Sequence, residues 1–142
     1  MIVLGPGSLY TSVIPNLIIK GMAEAVAQSK GYKIYVCNIM TQRGETQEYS
    51  AADHIQTIVE HANQEIINAC IVNNAAVPKT ALSRYGAEDS YPVKVDAERI
   101  EAMGYEVVAT DLLTVNDYVR HDSQKLTKAL IGLIEKHRVI KR

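Results

Sequence analysis

The residues best suited to chemistry lie near the amino end and are Gly5, Pro6, Gly7, Ser8, Thr11 and Ser12. Because glycine has no Cβ, the backbone can turn sharply there and leave its N–H groups facing outward. A helix that begins directly behind the turn adds the positive end of its dipole. The pattern predicts a phosphate site, such as one for a nucleotide. The alternative is a strand-to-helix turn that needs glycine for its geometry and uses Ser8 as the helix N-cap. Neither a Walker P-loop nor GxGxxG is present.

Polar residues also follow the next two predicted strands. These candidates are Asn38, Thr41, Thr46 and Asn73. In open parallel sheets, ligands bind outside the carboxyl ends of the strands. We therefore expect these side chains to lie around one crevice with the turn at Gly5-Pro6-Gly7-Ser8, which we call the glycine turn. Amide and hydroxyl groups suit hydrogen bonds to a ribose, a base or a sugar. The alternative is that asparagine only ends strands and starts turns.

Arg120 is predicted to open the last helix within the run Arg120-His121-Asp122. Its planar guanidinium matches a phosphate, and a helix N-terminus would lie directly behind it. An ion pair between Arg120 and Asp117 is the alternative interpretation.

The other residue types that could support catalysis show no useful spacing. His54 and His61 are seven residues apart on one predicted helix, roughly 10 Å by helical rise, which is too far to share a metal ion. CxxC, HExxH and GxSxG are absent. The acids that could be nominated for acid–base or transfer chemistry are Glu45, Asp53 and Asp111. We therefore predict a ligand site, with no catalytic residue, no metal and no certain cofactor beyond the ligand.

Composition limits the class of protein. The chain has 142 residues, 47% of them hydrophobic, and a net charge of −1, which fits one globular domain and argues against nucleic-acid binding. A basic tail (Lys136, Arg138, Lys141 and Arg142) is interpreted as a solvated helix end. Cys37 and Cys70 lie in apolar runs, which indicates reduced thiols. Without a signal peptide or an apolar span of 18 residues, we expect a cytoplasmic protein with no membrane span.

Short apolar runs alternate with helical patterns, which predicts an α/β fold: a layered α/β/α domain with a mainly parallel sheet. The predicted strands are 2–4, 33–37, 67–72 and 106–109, the first three central and the fourth extending the sheet. The predicted helices are 9–18, 22–29, 51–62, 97–103 and one from 123 onward. Residues 75–90 are predicted as a loop with a helical turn at 80–85, and 91–95 as a marginal edge piece.

Three acidic or hydroxyl residues mark the expected helix starts. Ser50, with Asp53 three residues later, predicts a capping box. Asp96 and Asp122 are predicted to cap the helices that follow them.

Four motifs together resemble a known family. They are GPGSLYTSVIPNL (5–17), KIYVCNIMTQRGET (33–46), SAADH (50–54) and YVRHD (118–122). They resemble the bacterial gluconeogenesis-factor family (YvcK), within the wider group similar to CofD, the 2-phospho-L-lactate transferase. The resemblance covers residues 1–142, as a single CofD-like, Rossmann-like domain, but only the later part of the family's length. The family's opening Gly-Gly-Gly-Thr-Gly loop has no counterpart here, so we expect an incomplete domain.

The resemblance implies a cytoplasmic regulatory protein that binds a UDP-sugar of the UDP-N-acetylglucosamine type. Such proteins are linked to gluconeogenic carbon use, peptidoglycan precursor supply and cell shape. By motif position, Arg120 would contact phosphate and Tyr85 would pack on the nucleotide or sugar. The alternative function is a CofD-like transfer of a phospholactyl-type group from a nucleotide carrier to an alcohol. A missing half-domain would leave a sheet edge open, and self-association is one way to cover it.

Overall fold

Four short parallel strands form the centre of the molecule. The structure is a computed structural model that describes residues 1–86 and 88–139. The strands are β1 (Ile2–Leu4), β2 (Lys33–Val36), β3 (Ala69–Asn73) and β4 (Glu106–Thr110). They are parallel and lie side by side in chain order. The layered α/β prediction is confirmed. Among the strands of the described residues, β1 lies at one edge of the sheet, and β2 and β3 are the central strands. Each crossover adds the next strand to the sheet in the same direction, so that β2, β3 and β4 follow β1 in order.

Helices cover both faces of this sheet. They are α1 (Ile14–Leu17), α2 (Met22–Gln28), α3 (Ala51–Ala62), α4 (Lys79–Gly86), α5 (Ala97–Ala102) and α6 (Ser123–Val139). Helices α1, α2, α3 and α5 pack with Tyr35 and Cys70 on one face. Helices α4 and α6 pack with Ile34 and Ile71 on the other. Because successive residues of a strand point to opposite faces, each central strand supplies both cores.

The stretch predicted as one helix over 9–18 has two parts. Leu9–Val13 forms a π-helical turn that leads into the short α1. The N–H groups of Ser12 and Val13 both donate to the Ser8 carbonyl. Pro15 has no N–H to donate to the carbonyl four residues earlier, so a regular α-helical ladder cannot run through this segment.

Helix α3 begins as predicted, whereas α5 does not. The Ser50 N–H donates to Asp53 Oδ2 at 2.8 Å, and the Asp53 N–H donates to Ser50 Oγ at 3.3 Å, so the capping box is confirmed. Asp96 precedes α5 without capping it. Its Oδ1 instead accepts the N–H of Ala52 at 3.0 Å. The prediction for Asp96 is wrong because a donor from another helix takes its carboxylate.

Residues 111–122 contain a hairpin that the sequence pattern did not predict. Strands β5 (Leu113–Val115) and β6 (Val119–His121) pair antiparallel, with Arg120 opposite Thr114. Arg120 therefore lies on a strand, and the prediction that it opens the last helix is wrong. Asp122 does cap α6, since its Oδ1 accepts the N–H groups of Gln124 and Lys125.

The remaining corrections concern short segments. The helical turn expected at 80–85 is the longer α4, and residues 91–95 are not part of the sheet. They form two isolated bridges, Met40 with Pro92 and Ser50 with Lys94. In the basic tail, the side chain of Arg138 and the whole of Lys141 and Arg142 lie outside the described residues. None of the described helices is both long and apolar enough to cross a membrane.

Candidate functional site

A cleft of about 730 Å³ opens at the carboxyl ends of β1 and β2, between the glycine turn and the β5–β6 hairpin. It brings together predicted ligand residues from four separate stretches of the chain. They are Pro6, Gly7, Ser8, Asn38, Thr41, Tyr85 and Arg120. The volume falls within the usual range for small-molecule sites. The crossovers and the hairpin therefore assemble one candidate site from residues that are distant in sequence.

The predicted residues Gly5, Thr11, Ser12, Thr46 and Asn73 are not part of the cleft lining. Thr11 and Ser12 are exposed, whereas Thr46 is fully buried and accepts the Gln42 N–H at Oγ1. Asn73 donates to the Ala75 carbonyl and accepts the Leu112 N–H. Thr46 and Asn73 therefore connect loop segments, and the contacts of Asn73 are those of a residue that ends a strand and starts a turn.

Gly5 lies outside the lining but sets the path of the backbone directly before the lining residues Pro6 and Gly7. It has φ +79°, and a Cβ at this position would lie 2.9 Å from the carbonyl oxygen of Val36. Both the left-handed backbone and the close approach to β2 require glycine. A cis peptide bond joins Gly5 to Pro6.

The Ser8 hydroxyl makes a contact that neither interpretation anticipated. Ser8 occupies the N-cap position of the π-helical turn but makes no side-chain cap. Its Oγ donates instead to Glu45 Oε2 at 2.8 Å. A phosphate that binds at the turn would compete with Glu45 for this hydroxyl.

Arg120 supplies positive charge on the opposite wall. Its side chain is exposed, and among the described residues it makes neither an ion pair nor a side-chain hydrogen bond. The alternative partner, Asp117, forms no ion pair with Arg120 among the described residues. The backbone carbonyl of Asp117 accepts a hydrogen bond from Arg84 Nη1 at 3.0 Å. The guanidinium fork of Arg120 is therefore available to a ligand.

Tyr85 connects helix α4 to the strand that carries Arg120. Its hydroxyl accepts the Val119 N–H at 2.9 Å, and its ring lies edge-on to Tyr118 with centroids 6.5 Å apart. The ring lines the cleft while the hydroxyl holds β6 in place. Tyr85 can therefore act by packing on a ligand and also by positioning Arg120.

Several residues that line the cleft were not predicted from the amino-acid sequence. Among them, His121 has both a hydrogen bond and a pKa shift that the structure explains. The lining residues that complete the polar set are Gln42, Arg43, Glu88, Ser90 and His121. His121 Nε2 donates to the Cys37 carbonyl at 3.1 Å. Burial lowers the pKa of His121, and the hydrogen bond to Cys37 only partly offsets that effect. Its position directly after Arg120 in the motif was the only available signal.

The loop that carries Thr41 is held by contacts with residues 89–91. Ser90 donates its hydroxyl to the Thr41 carbonyl, and Thr41 Oγ1 accepts the Tyr91 N–H at 2.9 Å. Arg43 lies 3.7 Å from Asp89 in an exposed ion pair. Thr41 therefore contributes to loop structure as well as to the cleft wall.

Chemically, the cleft offers hydrogen-bond donors, the exposed guanidinium of Arg120 and the aromatic side chain of Tyr85. Among the described residues, no three His, Cys, Asp or Glu side chains are grouped to hold a metal ion. The arrangement suits an elongated anionic ligand with hydroxyl groups better than it suits a metal.

Comparison with known proteins places the chain in a family. Residues 1–113 match the family described as 2-phospho-L-lactate transferase CofD. A putative gluconeogenesis factor of Thermoanaerobacterium thermosulfurigenes is 46% identical over 135 residues, covering 94% of this chain and 42% of the relative. The gluconeogenesis factor of Bacillus subtilis is 40% identical over 136 residues, covering 95% and 43%.

A solved structure shows the same fold. The crystal structure of a protein from Bacillus halodurans superposes with a TM-score of 0.88 at 39% identity, covering 91% of this chain and 42% of that one. The chain thus spans less than half the length of the relatives that it matches. By the extent of the family match and the similarity of its relatives, this chain belongs to the CofD family.

Proposed function

We propose that this chain binds a sugar nucleotide of the UDP-N-acetylglucosamine type and acts by binding rather than by turnover. Its role would be regulatory, in gluconeogenic carbon use, peptidoglycan precursor supply and cell shape. The observation that carries the proposal is that the glycine turn and Arg120 converge on one cleft. In residues 1–86 and 88–139, Arg120 has no ion-pair partner. The names of the relatives, gluconeogenesis factors, support only the link to gluconeogenic carbon use.

Each part of such a ligand has a chemically suitable partner in the cleft. Arg120 offers two parallel N–H donors to a diphosphate. Asn38 and Thr41 offer amide and hydroxyl groups to a ribose or a sugar. The Tyr85 ring offers an apolar face to the base or the sugar.

Calorimetric titration of the chain with UDP-N-acetylglucosamine tests the proposal. Arg120→Ala is expected to weaken binding by roughly 1.5–3 kcal/mol, the scale of a hydrogen bond to a charged group. Lys128→Ala, which removes one positive charge from α6 outside the cleft lining, is the matched control and is expected to bind as the unmodified chain does. Equal affinity of Arg120→Ala and the unmodified chain would contradict the proposed site.

A transferase is the second candidate, favoured by the description of the matched family. It would move a phospholactyl-type group from a nucleotide carrier to an alcohol and would need an electrostatic clamp on the pyrophosphate. Incubation with nucleotide-linked donors and an alcohol acceptor, followed by chromatography for released nucleotide, separates the two functions. Released nucleotide that depends on Arg120 would favour transfer over binding alone.

A further inference from the structure

The imidazole of His121 lines the cleft, and the backbone next to β2 fixes which of its two nitrogens carries the proton. Nε2 lies 3.1 Å from the carbonyl oxygen of Cys37, the residue that follows β2. Since a carbonyl oxygen can only accept a hydrogen bond, Nε2 carries the ring proton and donates it. In the neutral ring, the other nitrogen, Nδ1, is then a hydrogen-bond acceptor.

The Nδ1 atom of His121 is open to solvent. It has no hydrogen-bond partner among the described residues, where the buried side-chain nitrogens and oxygens without a partner are His54 Nε2 and the Tyr35 hydroxyl. The ring of His121 is half-buried, and Nδ1 points away from the Cys37 carbonyl that holds Nε2. The cleft therefore contains an oriented acceptor on a ring that is anchored to the sheet.

The protonation state of His121 favours the same role. Only the neutral ring has a lone pair to offer, because both nitrogens of the charged ring are donors. Burial lowers the pKa of His121, so the neutral form predominates at neutral pH. His54 is the contrasting case, because its second nitrogen is enclosed by the core and no ligand can reach it.

We propose that His121 recognises the ligand of the cleft by accepting a hydrogen bond at Nδ1 from one of the ligand's hydroxyl groups. The inference rests on the proposed function, since a sugar nucleotide carries hydroxyl groups on its ribose and on its sugar. Arg120 and His121 are neighbours on β6, and successive side chains of a strand point to opposite faces, so they contact the ligand from two sides. A phosphate oxygen suits the guanidinium and is repelled by the lone pair of Nδ1. The two residues therefore distinguish the phosphate part of the ligand from a hydroxyl-bearing part.

The variants His121→Gln and His121→Asn separate the two nitrogens. Glutamine can still donate to the Cys37 carbonyl but has no acceptor at the Nδ1 position, whereas asparagine places an oxygen near that position and does not reach Cys37. In calorimetric titration with UDP-N-acetylglucosamine, His121→Gln should bind about five- to tenfold more weakly, and His121→Asn should lose less. Urea denaturation should give the opposite order, with His121→Asn the less stable variant. His61→Gln, outside the cleft lining, is the matched control and should bind as the unmodified chain does.

Nitrogen-15 NMR of the histidine-labelled chain gives a readout that does not depend on affinity. The Nδ1 resonance of His121, assigned by its loss in His121→Gln, should lie in the range of an unprotonated ring nitrogen. It should move upfield when UDP-N-acetylglucosamine is added, because the lone pair then accepts a hydrogen bond.

Three results would overturn the inference. They are unchanged affinity in His121→Gln, affinities of the two variants that follow the order of their stabilities, and an Nδ1 resonance that is protonated or does not move on addition of the ligand. If Arg120→Ala still weakens binding in any of these cases, the proposed function stands and only the role of His121 fails. An unmodified chain that does not bind UDP-N-acetylglucosamine would overturn both.

Discussion

Two polar regions lie near each other at the carboxyl end of the sheet, and they differ in how their polar groups are used. One is the α3 cluster, formed by Ser50, Asp53, His54, Asp96 and Arg99. In it, Asp53 accepts from the Ser50 N–H and from Arg99 Nη1 at 2.7 Å, and Asp96 accepts from Ala52. The other region is the cleft, in which the guanidinium of Arg120 has no ion-pair partner among the described residues.

The comparison separates structural from functional use of the same residue types. Ser50 and Ser8 both precede helical segments, but only Ser50 caps its helix. Burial alone would raise the pKa of Asp53, yet the Ser50 N–H and Arg99 hold it below its usual value. A cluster whose charged groups are paired with one another, as Asp53 and Arg99 are, stabilises the fold. A cluster that leaves a charge unpaired in a cleft is a candidate for binding.

The largest effect is expected where the cleft meets the core. Gly5→Ala should lower the free energy of unfolding by about 2–4 kcal/mol, because it combines left-handed strain with a clash against the Val36 carbonyl. Gly44→Ala is the matched control, since Gly44 has φ +76° but no atom within 4 Å of its Cβ position. It should cost about 1–2 kcal/mol. Urea denaturation measures both, and equal losses would show that the close approach to β2 is unimportant.

The two serines give the sharpest test of the comparison. Ser50→Ala should lower the free energy of unfolding by about 1–2 kcal/mol through loss of the cap, without changing ligand affinity. Ser8→Ala should cost less, about 0.5–1 kcal/mol, since its hydroxyl caps no helix and only the part-buried hydrogen bond to Glu45 is lost. Chemical denaturation gives the stabilities and calorimetry the affinities. If Ser8→Ala proves the more destabilising change, the distinction between the two regions fails.

The smallest expected effect is a pH dependence within the α3 cluster. His54 is fully buried, and its Nδ1 donates to the Ser50 carbonyl. Within the part of the chain that the structure describes, its Nε2 has no partner. Burial lowers the pKa of His54, and the hydrogen bond and nearby carboxylates only partly offset this effect. The unfolded chain, with a histidine pKa of about 6.5, therefore binds the proton more readily. Stability from this group is present above that pH and is lost as the pH falls through it towards the lower folded pKa.

Denaturation at several pH values between about 7.5 and 5 measures this slope. His54→Asn should flatten it, whatever its effect on stability at neutral pH. An unchanged slope in His54→Asn would assign the pH dependence to other groups.

The amino-acid sequence by itself determined the alternating elements, the capping box of α3 and the polar ends of the strands. These features depend on neighbours within a few residues, through side-chain periodicity and local hydrogen bonds. The motifs also carried the family resemblance, which the comparisons confirm. The glycine turn, Asn38 and Arg120 could therefore be identified as candidates from the amino-acid sequence alone.

Only the tertiary structure decided which of these residues meet. Asn38 and Asn73 both follow the apolar part of a strand. The side chain of Asn73 forms hydrogen bonds with the backbone of Ala75 and Leu112. Asn38, by contrast, lines the cleft. The β5–β6 hairpin places Arg120 on a strand, and the order of the crossovers leaves β1 at the edge. These outcomes depend on pairing between segments far apart in the chain, and local patterns carry no information about that pairing.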